Sequence, residues 1–203
     1  MHEFITKRTD ISYETLLVDK TPRNWAKKAV ESVSDLLIDH AHCERKAAQS
    51  AMTLIYRYPH LHFVNELSRL IREEMVHFEQ VLRFLKLYNI KFRSLKPSGY
   101  GQFLASLVNI DNQYLINHLI INGIIEARSC ERMGAFSEFV NPELSTFYKK
   151  LHDAERRHCS MYIDFAQSLS KDSIDWRIKE FAIKESEWLS QSSRLIRFHS
   201  PHG

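Results

Sequence analysis

The chain has 203 residues, 44% of them hydrophobic, with only 5 Gly and 5 Pro; that length suits one domain with a substantial core, and so few turn formers exclude an all-β fold. Net charge is +3 and pI 8.7, too mild to demand a nucleic-acid partner. No run approaches eighteen apolar residues, and the N-terminal MHEFITKRTDISYETLL lacks a signal-peptide core, so neither a membrane span nor export is expected and the protein is placed in the cytoplasm.

An N-terminal arm is expected to about Lys20. Thr21-Pro22 then reads as an N-cap with Pro at the first helical position, opening a long helix to about Tyr58, where Pro59 interrupts it. A second long helix spans roughly His60 to Tyr88. NIKFRSLKPSGYG, residues 89–101, is a connector broken by Pro97, Gly99 and Gly101. A short helix follows over Gln102 to Asn109, and a third long one over Asn112 to Val140. Asn141-Pro142 starts a fourth, to about Ser170, and a last helix is expected from Ser173 to Phe198. No low-complexity linker divides the chain. The expected architecture is all-α: one domain, with a four-helix core over residues 22–170 and additional helices.

Apolar positions recur at three and four residues, as helices facing a core require. The inward stripes read Val33, Leu37, Ala41, Glu44, Ala48, Ala51, Ile55; then Leu67, Leu70, Glu74, His77, Val81, Phe84; then Leu115, Leu119, Gly123, Glu126, Cys130, Met133; then Leu144, Tyr148, Leu151, Glu155, His158, Tyr162, Phe165. A carboxylate interrupts each stripe near its middle, and two stripes add a histidine three residues on.

A single Glu-x-x-His carries little weight. With 16 Glu and 11 His, chance alone supplies roughly one such pair. The arrangement is more telling. Glu44 lies 30 residues before Glu74, and Glu126 lies 29 before Glu155, so the chain reads as two helical hairpins, each setting one Glu against one Glu-x-x-His. Four carboxylates and two imidazoles cannot share a dry core without counter-charge. Two divalent cations supply it, in the pattern known from di-iron and di-manganese carboxylate bundles. Carboxylate and imidazole donors without thiolate suit iron or manganese better than a structural zinc. The pseudo-twofold arrangement predicts that Glu44 and His77 serve one metal, Glu126 and His158 the other, and that Glu74 and Glu155 bridge.

The remaining polar residues receive plainer readings. Glu73 points about 100° away from Glu74 and is expected to form a surface ion pair near Arg69. Glu131 falls off the inward stripe. His40, one turn before Glu44, reads first as a satisfied histidine and second as a support for that ligand, and Asp153 is a candidate to orient a ligand histidine. Cys43, Cys130 and Cys159 fit no disulfide or zinc pattern and read as packed thiols. Between Glu79 and Asp111 no acidic residue occurs, while Arg83, Lys86, Lys91, Arg93 and Lys96 all fall there; the tail after Glu187 is also acid-free and carries Arg194, Arg197 and His199. Local basic excess of this kind suits a phosphate-bearing partner.

DHAHCERKAA around Glu44, REEMVHFE around Glu74 and His77, EARSCER at Glu126 and the terminal RFHS resemble the MiaE family, the tRNA 2-methylthio-N6-isopentenyladenosine hydroxylases. The similarity extends from about Pro22 to Ser200. The resemblance implies a ferritin-like bundle with a non-haem di-iron centre held by Glu44, Glu74, His77, Glu126, Glu155 and His158. It implies O2-dependent hydroxylation of the isopentenyl group on a modified adenosine beside the tRNA anticodon. No flavin motif or Fe–S cysteine cluster occurs, so electrons must come from a separate reductase or ferredoxin. Arg83, Lys86, Lys91, Arg93 and Lys96 are the candidates for tRNA backbone contact, with Arg23, Lys27 and the tail arginines behind them. The chain departs from the family at Ser98-Gly99-Tyr100, where a basic residue commonly separates Ser from Tyr, which leaves a phosphate contact there without support. The oligomer is expected to be a monomer or small assembly. The rival readings are a ferritin-like iron oxidase or store, a manganese catalase or peroxidase, and a helical RNA-binding module with a structural metal.

Overall fold

The structure, a computed structural model, describes residues 12–202; the first eleven residues of the expected arm lie outside the described part. The arm's remainder carries a 3-10 turn, Tyr13–Leu16, capped by Ser12 and anchored by the buried Leu16. Among the described residues there are seven α-helices and no strand: α1 Arg23–Glu31, α2 Val33–Arg57, α3 Val64–Leu87, α4 Tyr100–Leu107, α5 Tyr114–Ser137, α6 Pro142–Leu169 and α7 Asp175–Leu189. The four long ones, α2, α3, α5 and α6, span 24 to 28 residues, about 36–42 Å each. The α2–α3 and α5–α6 hairpins are each closely packed within themselves and join through shared apolar clusters as a four-helix bundle.

Three boundaries differ from the sequence expectation, each for a physical reason. The first helix breaks at Ser32 (φ −113°, ψ 28°), giving α1 and α2. Its buried positions Ala29, Leu36 and Leu37 keep a helical spacing across the break, so the pattern holds no phase slip to mark it. Serine competes for the backbone, and the β-branched Val33 follows, which makes this a weak point in an otherwise strong helix. The second helix starts at Val64 and not His60, because Leu61 and Val64 donate to Tyr58 and Leu61 carbonyls in successive turns. The last helix stops at Leu189 instead of reaching Phe198. There SQSS breaks it, with Ser193 Oγ accepting from Leu195 N, and residues 190–202 run irregularly back over the bundle. Elsewhere the signals hold. Asn141 caps α6 by accepting from Leu144 N, with Pro142 at the first position.

The bundle's interior is layered. One apolar cluster gathers Leu54, Leu67, Leu70, Ile120, Ile124, Tyr162 and Ile163, with Phe63 stacked on Phe165 at 4.0 Å. A second gathers Leu37, Ala41, Val81, Leu85, Met133, Phe136, Tyr148 and Leu151. The polar residues of all four stripes fall between the two. Gly123 sets how closely α6 approaches α5 here: a Cβ on it would lie 2.8 Å from Ile163 Cδ1.

Candidate metal centre

Glu44 of α2, Glu74 and His77 of α3, Glu126 of α5, and Glu155 and His158 of α6 are all buried, at 8% exposure or less. Each stands one or two turns from an apolar residue of the same stripe, so the packing that buries the stripes forces these groups inward too. They converge as two sets of four. Donor atoms of Glu44, Glu74, His77 and Glu155 lie within 4.8 Å of one another, as do those of Glu74, Glu126, Glu155 and His158. Glu74 and Glu155 belong to both sets.

The protein does not satisfy this layer itself. Both carboxylate oxygens of Glu74, Oε1 of Glu155, and Nδ1 of His77 and of His158 are buried without a hydrogen-bond partner. Native interiors leave few such atoms, and five in one place call for a ligand. His77 Nδ1 stands 3.6 Å from Glu44 Oε2, 3.8 Å from Glu74 Oε2 and 3.6 Å from Glu155 Oε1. His158 Nδ1 stands 2.7 Å from Glu74 Oε1, two lone-pair atoms pressed together unless a proton or cation lies between them. Burial, joined by the Glu155 charge, pushes the Glu126 carboxyl well above its usual range, and burial also raises Glu44. Burial opposes a charge on His77, but the surrounding carboxylates of Glu44, Glu74 and Glu155 outweigh it and lift the imidazole to about 10. Protons are thus the only internal means of balancing the layer; a pair of divalent cations does it with the donor types iron prefers.

Supporting groups hold two of the donors in place. His158 Nε2 meets Glu73 Oε2 at 2.8 Å, so the ring donates outward and keeps its Nδ1 lone pair inward. The sequence reading of Glu73 as a surface pair with Arg69 is corrected: its partners are His158 and Arg157, both on α6. The contact with His158 pulls Glu73 down to about 2. His40 also reaches the layer, taking the supporting role that the sequence placed second. Its Nε2 lies 2.5 Å from Glu44 Oε1 and its Nδ1 3.0 Å from Tyr148 Oη. Burial lowers the imidazole to about 4 and keeps it neutral, so it donates to Glu44 and accepts from Tyr148. Asp153 does not orient a ligand histidine; it faces the neighbouring His152. The one-turn spacing to Glu44 marks His40, but spacing alone could not find Glu73, because it acts across the bundle. The rule that a ligand imidazole leans on a carboxylate is the signal that would have pointed to Glu73.

A cavity of 570 Å³ opens above the layer, with Glu44, Glu74, Glu126 and Glu155 at its floor. The connector Pro97–Gln102, the tail's Phe198 and His199, and the α2 and α5 faces form its walls. Lys46 and Arg57 are the cations lining it. Arg83, Lys86, Lys91, Arg93 and Lys96 are all solvent-exposed but not on its wall, and Arg93 pairs with Asp35 at 2.7 Å. Arg194 is exposed, but the other tail candidates are corrected. Arg197 is buried against Asp35 and the Lys96 carbonyl, and His199 is buried on Ser129.

EARSCER and RFHS meet in a second buried polar region beside this cavity. Arg128 makes paired bonds of 2.8 and 2.9 Å to Glu185 on α7. Arg132 donates to the Phe198 and Ser200 carbonyls and lies over the Trp25 ring at 4.4 Å. Glu131 accepts from the backbone N–H and the hydroxyl of Thr21, and from Arg128. The three cysteines are free thiols, as expected.

With this geometry in view, comparisons with known proteins are specific. Residues 10–200 match the family model described as tRNA-(MS[2]IO[6]A)-hydroxylase (MiaE). The chain is 38% identical over 183 residues to a Pseudomonas putida protein named tRNA 2-(methylsulfanyl)-N(6)-isopentenyladenosine(37) hydroxylase, with 89% of each chain covered. It is 29% identical to a Salmonella typhimurium protein of the same name, covering 89% of this chain and 86% of that one. Among solved structures it is similar to a Synechococcus protein with aldehyde deformylating oxygenase activity, at a TM-score of 0.87 and 34% identity, over 91% of this chain and 96% of that chain. The all-α bundle is therefore ferritin-like.

Proposed function

The chain belongs to the MiaE family, and we propose that its polar layer is a di-iron centre that uses O2 to hydroxylate the isopentenyl group of a modified adenosine in tRNA. The observation that carries this reading is the pair of four-donor sets, sharing Glu74 and Glu155, at the floor of a cavity open to solvent.

Glu44 and His77 would hold one iron, Glu126 and His158 the other, with Glu74 and Glu155 between them. Two irons so held supply the activation of O2 that insertion into an unactivated C–H bond requires. Every other task falls to this chain's own groups. His40, backed by Tyr148, fixes the Glu44 carboxylate, and Glu73 fixes the His158 ring. Ile121, Ile125, Met133 and Tyr162 line the inner cavity and give a prenyl chain an apolar bed from which water is excluded. Lys46 and Arg57 at the wall, and the exposed run of Arg83, Lys86, Lys91, Arg93 and Lys96, suit the tRNA backbone. Two electrons come from a separate donor, a reductase or ferredoxin, since the chain's three thiols are scattered and free. No helix among the described residues is long and apolar enough to cross a membrane.

The test is direct. Nucleosides from tRNA of cells with and without this protein are compared by mass spectrometry, expecting the hydroxylated isopentenyl nucleoside to vanish in its absence. Its persistence unchanged would overturn the proposed activity. A fatty aldehyde offered to the iron-loaded protein is the matching control, and deformylation at rates above tRNA hydroxylation would favour the neighbour's chemistry.

A further inference from the structure

Outside the polar layer the cavity is not uniformly apolar. Ser50 on α2 and His118 and Asn122 on α5 all line it. Ser50 Oγ lies 3.1 Å from His118 Nε2 and 3.2 Å from Asn122 Oδ1. The Asn122 amide nitrogen, in a side chain only 6% exposed, has no partner at full hydrogen-bond distance, although one of its N–H groups faces the Tyr162 hydroxyl loosely. A buried amide N–H left open is costly unless something arrives to accept from it.

The proton count of the trio fixes what it offers. Ser50 has one proton, which goes to Asn122 Oδ1. The short Ser50–His118 contact is then donated by His118 Nε2–H, leaving Nδ1 with its lone pair. Burial, helped by the nearby Arg57 charge, lowers the His118 pKa and keeps the ring neutral. Of the two Asn122 N–H groups one faces Tyr162, so the trio presents the other as a free donor and His118 Nδ1 as a free acceptor. An N6-alkylated adenine presents the complement along one edge, a ring nitrogen that accepts beside the N6–H that donates.

The depth also matches. Asn122 and His118 stand one and two turns before Glu126 on α5, about 6 and 12 Å along the helix axis. Four bonds separate N6 from the terminal methyl of an isopentenyl group, about 5 Å when extended. With that methyl over the polar layer, the purine edge lies between the levels of Asn122 and His118.

We propose that Ser50, His118 and Asn122 form a base-reading shelf that binds the donor–acceptor edge of an N6-alkyladenine and so sets how deep its side chain reaches. These are positioning residues, and the idea rests on the tRNA-hydroxylase reading above.

The test is equilibrium binding of the full-length, iron-loaded protein to an anticodon stem-loop RNA carrying N6-isopentenyladenosine. Counterparts replace ring N1 or N7 by C–H. Wild type should bind one of the two deaza RNAs about tenfold more weakly, the size of one lost hydrogen bond. Asn122→Ala should bind parent and deaza RNAs alike, at the weaker affinity. His118→Ala, at a half-buried position and thus independent of any folding defect at Asn122, should lose discrimination against an RNA whose N6 carries an added methyl in place of its hydrogen. Equal wild-type binding of parent and both deaza RNAs would overturn the shelf, as would variants that keep the wild-type discrimination. Product is scored separately. Edge-dependent binding without hydroxylation sinks the proposed reaction and leaves the shelf standing, whereas hydroxylation without edge dependence does the reverse.

Discussion

Two buried polar regions lie side by side in this protein and are built on opposite terms. In the clamp of Arg128, Glu131, Arg132 and Glu185, guanidinium, carboxylate and backbone groups meet one another at hydrogen-bond distance. In the polar layer five buried atoms converge without a hydrogen-bond partner among the protein's own groups. Both would register simply as buried charge. Bonding separates them: a polar cluster that closes upon itself is holding chain segments together, and one that leaves lone pairs converging is holding a place for an ion.

That contrast can be broken most forcefully at the clamp. Arg128→Ala leaves the fully buried Glu185 carboxylate without its paired guanidinium, only the Tyr100 hydroxyl still donating to it, and should cost about 3–5 kcal/mol. That is a fall of about 6–20 °C in the melting temperature of a chain this size, whether or not iron is present. Chelating the wild-type protein tests the layer in the reverse sense. Loss of iron should lower stability by about 3 kcal/mol for each ion that had stood at a hundred times its dissociation constant. Glu126→Ala should lower the iron stoichiometry, yet its metal-free form should melt at or above metal-free wild type, because it deletes a carboxylate that no protein group balances. If metal-free Glu126→Ala proved as damaged as Arg128→Ala, the two regions would be alike and the distinction wrong.

Smaller effects sharpen it. Glu73→Gln should weaken iron binding by about 10–100-fold and leave metal-free stability nearly unchanged, read by metal titration and thermal melts. The smallest effect belongs to the tail. Burial, then the Arg132 charge, pulls His202 down to about 4, and burial lowers His199 well below its ordinary value. Both are neutral when folded, whereas the unfolded chain takes up protons near pH 6.5. Their contribution is therefore complete above pH 6.5 and is lost as pH falls toward 4. Limited proteolysis should cut the tail faster at pH 5 than at pH 7, and His202→Gln should flatten part of that dependence.

The same contrast explains what was legible beforehand. The six candidate ligands could be read because helical periodicity marks an inward face, and a carboxylate on such a face stands out against its neighbours. Glu73 escaped notice since its partner, His158, lies 85 positions away on another helix. The break at Ser32 escaped because the buried stripe keeps its phase across it. The last helix was overextended because Leu195, Ile196 and Phe198 look helical in isolation; they are held instead by Arg132 and by Asp39, which accepts from Phe198 N at 2.8 Å. EARSCER and RFHS could be recognised as motifs, but only the fold shows that most of their letters serve each other. The cavity and its Ser50–His118–Asn122 trio join two helices 68 and 72 positions apart, a closeness no local pattern encodes.

Each donor set draws three groups from one hairpin and its fourth from the other: Glu155 crosses to the first, Glu74 to the second. Neither half of the chain can thus complete a cage alone, and an ion bound in either set acts as a rivet between halves. Residues 12–95 and 96–202 made as separate polypeptides should find one another more tightly with ferrous iron than without it, the cation serving as the glue that the severed backbone no longer provides.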